Sequence, residues 1–291
     1  MTLQILGCLT APGSETAPNE DAAGHGAYTA WALDGATGLS EGRLLPGPSD
    51  AAWLVDRYGA ALREHADREQ GGTRRLLADV IAEVARAFRE KCPQEPERRY
   101  ELPSAGMALV RFTPGKVECA RLGDCRVILG LPGGRVVATK RSALARLDAR
   151  VIRRMRDLRE SGVARNHAEA RAAVQDDLRA NRERLNVPGG YWVLGTDPEA
   201  ARRMEVRVIP LDAGVRVRGL LVTDGFYRLV DTFPECRDDA ELLDRTFDVG
   251  PEEMLRRLRA LEDADSECTR YPRFKPKDDA TAVLFQATAP R

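Results

Sequence analysis

The sequence predicts an α+β fold, with two mostly antiparallel β-sheets, helices outside them and one inserted helical hairpin. Three observations predict it. Short, β-prone segments joined by tight turns fill residues 105–139. Amphipathic helical stretches come in pairs, at 49–91 and 238–261, between blocks of strands. Residues 140–186 interrupt the strands with two Arg-rich helical stripes. Strand blocks flanking paired helices suggest sheets whose outer faces the helices cover.

Taken in order, residues 2–9 and 27–33 (AYTAWAL) are short and apolar and read as strands. A polar Pro/Gly loop between them ends in Asn19-Glu20-Asp21. From 49 to 68 the pattern turns helical: Trp53, Leu54, Tyr58 and Leu62 share a face, and Ser49 and Asp50 supply N-cap chemistry. A second helix follows from about Thr73 to Lys91, with Leu77, Val80, Ile81, Val84 and Phe88 as its stripe. Strands at 105–112, 117–122, 126–131 and 135–139 are separated by turns containing Gly115, Gly123 and Gly133-Gly134, which predicts an antiparallel meander. In the insertion, Leu144, Leu147, Val151, Met155 and Leu158 form one stripe, and Ala168, Arg171, Val174, Leu178 and Leu185 the second. It carries 13 Lys/Arg against 7 Asp/Glu, a formal charge of +6. Strands are expected again at 191–194, 204–210, 215–223 and 280–286, with helices at 238–247 and 251–261.

Composition narrows the function classes. Lys plus Arg and Asp plus Glu number 45 each in 291 residues, so no global field draws the chain to nucleic acid or membrane. Aromatic residues are 5%, few for a base-stacking surface. No apolar run approaches the ~18 residues of a membrane span. The N-terminus has no basic residue ahead of its apolar stretch and reads as a strand, not a signal peptide. The six cysteines show no CxxC and no metal-ligand spacing, as expected for reduced thiols in a cytoplasmic protein. No GxxxxGK[ST] occurs, so a P-loop nucleotide enzyme is not supported.

The chemistry lies in the carboxylates. Asp34 ends AYTAWAL before Gly35, Asp224 ends GLLVT before Gly225, and Asp278-Asp279 stand before ATAVLF. Glu20-Asp21 form a further acidic pair. A single Asp-Gly is a common turn dipeptide. Several, each at the end of an apolar strand, place like charges at sheet edges, where a cation between them relieves their repulsion. Oxygen donors alone favour Mg²⁺ or Mn²⁺, and a pair of such ions suits phosphate-ester hydrolysis.

NEDA (19–22), ALDGATG (32–38), SAGMALVRF (104–112), RLGDCRVIL (121–129), LLVTDGFYRLV (220–230) and KDDATAVLF (277–285) resemble, in order, the motifs of the 2C-type metal-dependent protein phosphatases. The resemblance runs from about residue 5 to 287 and is interrupted by the insertion. It implies a four-layer αββα sandwich, with 1–291 as one phosphatase-like domain and 140–186 as an insert or flap. It implies a serine/threonine phosphoprotein phosphatase with two Mn²⁺ or Mg²⁺ ions, acting by direct attack of metal-bound water without a phosphoenzyme. Asp34 resembles the carboxylate bridging both ions, Gly35 a carbonyl ligand, and Asp224 and Asp278 the remaining ligands. Glu20 and Asp21 resemble residues holding metal-bound waters, which with Asp34 makes them the catalytic set. Asp279 supports them, and Asp124 resembles the ligand of a third ion.

The match departs from the family in places. The Arg that grips phosphate in many members is Thr16 here. A His found after the Asp-Gly in some members is absent, since Ala36 and Thr37 follow Gly35. The usual Gly-Gly is Thr37-Gly38, and a third-ion Asp is replaced by Arg228. Arg43, Arg141 or an Arg of the insertion could supply the phosphate grip, and the insertion's charge could recruit an acidic or phosphorylated partner. Cys125 reads as a small buried side chain, His25 as a loop residue, and His65 and His167 as surface residues. The competing reading is a catalytically weak pseudophosphatase used as a binding module.

Overall fold

The computed structural model describes residues 2–40, 42–67, 71–94, 96–140 and 142–289. Its strands assemble into two five-stranded sheets in which every neighbour is antiparallel. The first contains β2 (Asp21–His25), β3 (Thr29–Ala36), β4 (Ser104–Thr113), β5 (Lys116–Leu122) and β8 (Glu205–Pro210), in that order. The second runs β1 (Thr2–Ala11), β10 (Ala280–Thr288), β9 (Arg216–Val222), β6 (Arg126–Leu131), β7 (Arg135–Ala138).

Period-two alternation sets the layers. On β3, Ala30 and Ala32 face the second sheet and pack with Val127, Leu129, Leu221, Val283 and Phe285. Trp31 and Leu33 face outward and pack under α1 (Asp50–His65) and α2 (Thr73–Lys91). On the far side Ile128, Leu220, Val222 and Leu284 are covered by α7 (Asp224–Asp231), α8 (Asp239–Val249) and α9 (Pro251–Ala264). The αββα order expected from the sequence is therefore observed. A short α6 (Glu199–Arg203) leads into β8.

The insertion forms α3 (Ala143–Glu160), α4 (His167–Ala173) and α5 (Gln175–Arg182). The expected second arm is thus broken at Val174, which closes α4 and opens α5. Val151, Met155, Ala164, Ala170 and Val174 make a small core of their own, against which Phe274 packs.

Four expectations are corrected. The meander over 105–139 is split: β4–β5 belong to one sheet and β6–β7 to the other, because the turn at Gly123, with φ of 69°, carries the chain across. Asp21–His25 is a strand and not part of a loop; its small side chains hide the alternation, but it pairs with β3 along its whole length. Residues 191–194 form isolated bridges at Tyr191 and Leu194 and no strand. His167 is buried and bonds to the Phe274 carbonyl at 3.0 Å instead of lying at the surface.

Candidate active site

The carboxylates converge at one rim between the two sheets. Asp34 lies within β3, not in a turn, with Asp21 and Gly106 directly opposite it on its two neighbours. Its parity matches Ala30 and Ala32, so it faces the second sheet. Across the gap Thr223 follows β9, and its hydroxyl donates to Asp21 Oδ2 at 2.8 Å. Asp224 opens α7, and its backbone N–H donates to Asp34 Oδ2 at 3.3 Å. Asp124 sits in the turn that passes from one sheet to the other. Two glycines permit the approach: a Cβ on Gly35 would strike the Glu20 carbonyl, and one on Gly225 the Asp279 carbonyl.

Crowding appears in the proton affinities. Burial, then the charges of Asp224, Asp21, Asp124 and Asp278, hold Asp34 well above the ordinary carboxylate range. Burial and then Asp278 raise Asp224. Burial raises Asp21 well above that range despite the Thr223 hydroxyl. Asp124 is raised by burial, then by Asp224 and Asp148. Asp278 is the exception. Burial works against its charge, but Arg228 and Lys275 outweigh it and hold it below the usual range. Arg228 Nη2 lies 2.7 Å from Asp278 Oδ2, and Lys275 Nζ lies 2.8 Å from Oδ1.

The neighbouring acids are held by backbone and hydroxyls. Asp279 accepts the N–H of Gly13 at 2.8 Å and that of Glu20 at 2.7 Å, so both its oxygens hold the N-terminal loop in place. The Thr37 hydroxyl donates to Glu20 Oε1 and accepts the Ala51 N–H at 3.2 Å, tying Glu20 to the start of α1. The Gly35 N–H donates to the Glu20 carbonyl at 3.0 Å. Cys125 is fully buried beside these groups.

The expected phosphate-binding residues fare differently. Arg43 is engaged with the carbonyls of Gly47 and Pro48 in its own loop. Arg141 lies outside the described residues. Sequence reasoning missed Asp148, which reaches the cluster from α3 and is pushed up to about 7 by burial and then by Asp224. It also did not single out Arg182 of α5. That side chain donates to the carbonyls of Ala36 at 3.2 Å and Leu102 at 2.8 Å, behind the Asp34–Gly35 segment. The only sequence signal for Asp148 is an acid on the polar side of an Arg-rich helix.

Residues 13–147 match the family model for protein phosphatase 2C. The match covers a little under half of the chain and includes Glu20, Asp21, Asp34 and Asp124. The chain's fold is similar to that of the serine/threonine phosphatase PstP/Ppp of Mycobacterium tuberculosis, with 19% identity, 98% of each chain covered and a TM-score of 0.57. The PstP catalytic domain in complex with two manganese ions aligns at 18% identity over 99% of this chain and 98% of that one, with a TM-score of 0.54. PppA, a regulatory component of the type VI secretion system in Pseudomonas aeruginosa, aligns at 16% identity, 99% and 98% coverage and a TM-score of 0.53. A comparison with curated proteins finds no match. Among the described residues, no helix is long and apolar enough to cross a membrane.

The donor set fits hard divalent cations in its chemistry: oxygen only, crowded, and short of positive charge around Asp34 and Asp224. Among the described residues no three His, Cys, Asp or Glu side chains already form a cage.

Proposed function

We propose that the chain is a metal-dependent serine/threonine phosphoprotein phosphatase that uses Mn²⁺ or Mg²⁺. The observation that carries this reading is the convergence of Asp21, Asp34, Asp124 and Asp224 from both sheets on one rim, with Asp21, Asp34 and Asp124 raised partly by the charges of the others. Asp34, Asp224 and the Gly35 carbonyl are the groups to hold the ions, with Asp278 beside them. Divalent cations supply the positive charge that acidifies an attacking water and offsets charge on the phosphoryl oxygens.

The chain's own residues do the positioning. Thr223 and Asp279 fix Asp21 and Glu20, and Thr37 turns the Glu20 carboxylate toward the end of β3. Those acids accept protons from water at the rim and orient it. Arg228 and Lys275 keep Asp278 ionised. The two-Mn²⁺ PstP structure supports the count of ions. No observation favours the pseudophosphatase reading, since Asp34, Asp224 and Asp278 are all present and gathered at the rim.

The test is hydrolysis of an aryl phosphate and a phosphothreonine peptide with and without Mn²⁺. Asp34→Asn and Asp224→Asn should each lower kcat/KM by about a hundredfold or more, roughly 2.7 kcal/mol of transition-state stabilisation. Turnover in the presence of excess chelator, or unchanged variants, would refute the assignment.

A further inference from the structure

A cavity of about 640 Å³ opens directly from Asp124, Asp224 and Asp278. One wall is α3, which presents Ala145, Ala149 and Ile152 at helical spacing. The segment 270–274 adds Pro272 and Phe274 to the lining. The small alanines, with Ile152, Pro272 and Phe274, make an apolar stretch of lining with room for an extended chain. The volume is in the range of sites that enclose a ligand of several residues' size.

The charge on this cavity is not distributed at random. Arg126, Arg228 and Arg273 are each paired, to Asp239, to Asp278 and Glu262, and to Asp265. Lys140, Arg153 and Arg270 are exposed, line the same cavity, and have no carboxylate partner among the described residues. Arg153 stands on α3, Arg270 in the segment 270–274, and Lys140 between β7 and α3. The one exposed acid of the lining is Asp231, at the end of α7. An unpaired cation in water costs little, so three of them around one groove are available to an anionic ligand.

We propose that this cavity is the substrate groove, and that it selects phosphoproteins with acidic residues flanking the phosphorylated side chain. The inference rests on the phosphatase reading and adds to it the substrate class and the residues that choose it. The phosphoryl group lies at the carboxylate rim, and the flanking chain runs along α3 and residues 270–274. Its Asp or Glu side chains pair with Lys140, Arg153 and Arg270. From the insertion, Lys140 and Arg153 act at this groove, so its charge is not only a diffuse basic surface.

The experiment compares two phosphothreonine peptides of equal length, one flanked by Glu and one by Lys, as substrates of the full chain with Mn²⁺. Binding of the fluorescently labelled peptides to Asp34→Asn protein is measured by anisotropy. The Glu peptide should have a kcat/KM at least about tenfold higher, expressed in KM, and bind correspondingly tighter, a difference of about 1.4 kcal/mol. The triple variant Lys140→Glu, Arg153→Glu, Arg270→Glu should reverse the order. A milder triple glutamine variant should abolish it, and near-native thermal stability of either one shows that the fold is kept. Equal rates and affinities for the two peptides, or a folded triple variant that still prefers Glu, would overturn the groove assignment. Failure to hydrolyse any phosphate ester would overturn the phosphatase reading instead, and the anisotropy would still report on the groove.

Discussion

Asp278 shows how a single residue can be drawn two ways. Its sequence position marks it as a ligand, but both its oxygens already hold cations. Arg228 also reaches Glu262, which is fully buried and takes Arg259 as a second partner. Arg228 thus places a fixed guanidinium directly against Asp278. An ion approaching Asp278 must compete with Arg228. Replacing the guanidinium by an apolar side chain, Arg228→Met, should therefore do two opposed things. It should destabilise the metal-free protein by about 3–5 kcal/mol, because Glu262 loses a buried partner. It should also raise Mn²⁺ affinity by about tenfold, or 1.4 kcal/mol. Urea unfolding with chelator present and a calorimetric Mn²⁺ titration read the two effects. Adding Glu262→Gln should recover most of the stability and leave the affinity gain. If affinity for Mn²⁺ does not rise in either variant, Asp278 is a structural acid and the ions are held without it.

At the scale of the element, the insertion is more than a basic surface, because α5 ends on Arg182 behind the site. Its guanidinium satisfies the carbonyls of Ala36 and Leu102, and its Nε finds no partner among the described residues. Arg182→Met should cost about 1.5–3 kcal/mol, the worth of hydrogen bonds from a charged donor. It should also lower kcat more than it raises KM, since it loosens the segment carrying Asp34. Arg182→Lys should restore part of both. A loss confined to KM would mean that Arg182 touches substrate and does not position β3. The same scale shows what could be read in advance. The α2 boundaries, Thr73–Lys91, follow from an apolar stripe of large side chains with a clear period. The strand bearing Asp34 was legible for the same reason. β2 was not, because DAAGH has little apolar contrast and is a strand only by virtue of its pairing with β3. α7 was hidden because its first residues, Asp224-Gly225, read as a turn, whereas Asp224 opens a helix under the cover of α9. Asp148 was invisible as a site residue because its role depends on how the insertion folds back, which no local pattern encodes.

The whole molecule joins two sheets at a rim of like charges, and its stability should record that. In the metal-free protein Asp21, Asp34, Asp124, Asp148 and Asp224 all have raised proton affinity. A carboxyl raised in the folded state binds more protons there than in the unfolded chain. Its contribution is complete below the ordinary carboxylate range and is lost as pH rises through the folded value. For Asp148 that value is about 7, and its share is at most about 4 kcal/mol before solvent screening. Asp278 has the opposite sign, but its window lies below about pH 4, under the ordinary value. Metal-free protein should therefore lose stability between pH 5 and pH 8, by about 2–4 kcal/mol once screening is allowed for. With saturating Mn²⁺ the dependence should invert, because each ion displaces protons from the acids it binds and binding strengthens as pH rises. At a hundredfold excess over Kd the ion adds about 2.7 kcal/mol per site. Urea unfolding at pH 5, 6, 7 and 8, with Mn²⁺ and with chelator, should give two curves of opposite slope that separate toward pH 8. Asp148→Asn should flatten the metal-free curve, and Asp34→Asn should remove most of the separation. Parallel curves would mean that no cation enters the rim, and the charges gathered there would need another explanation.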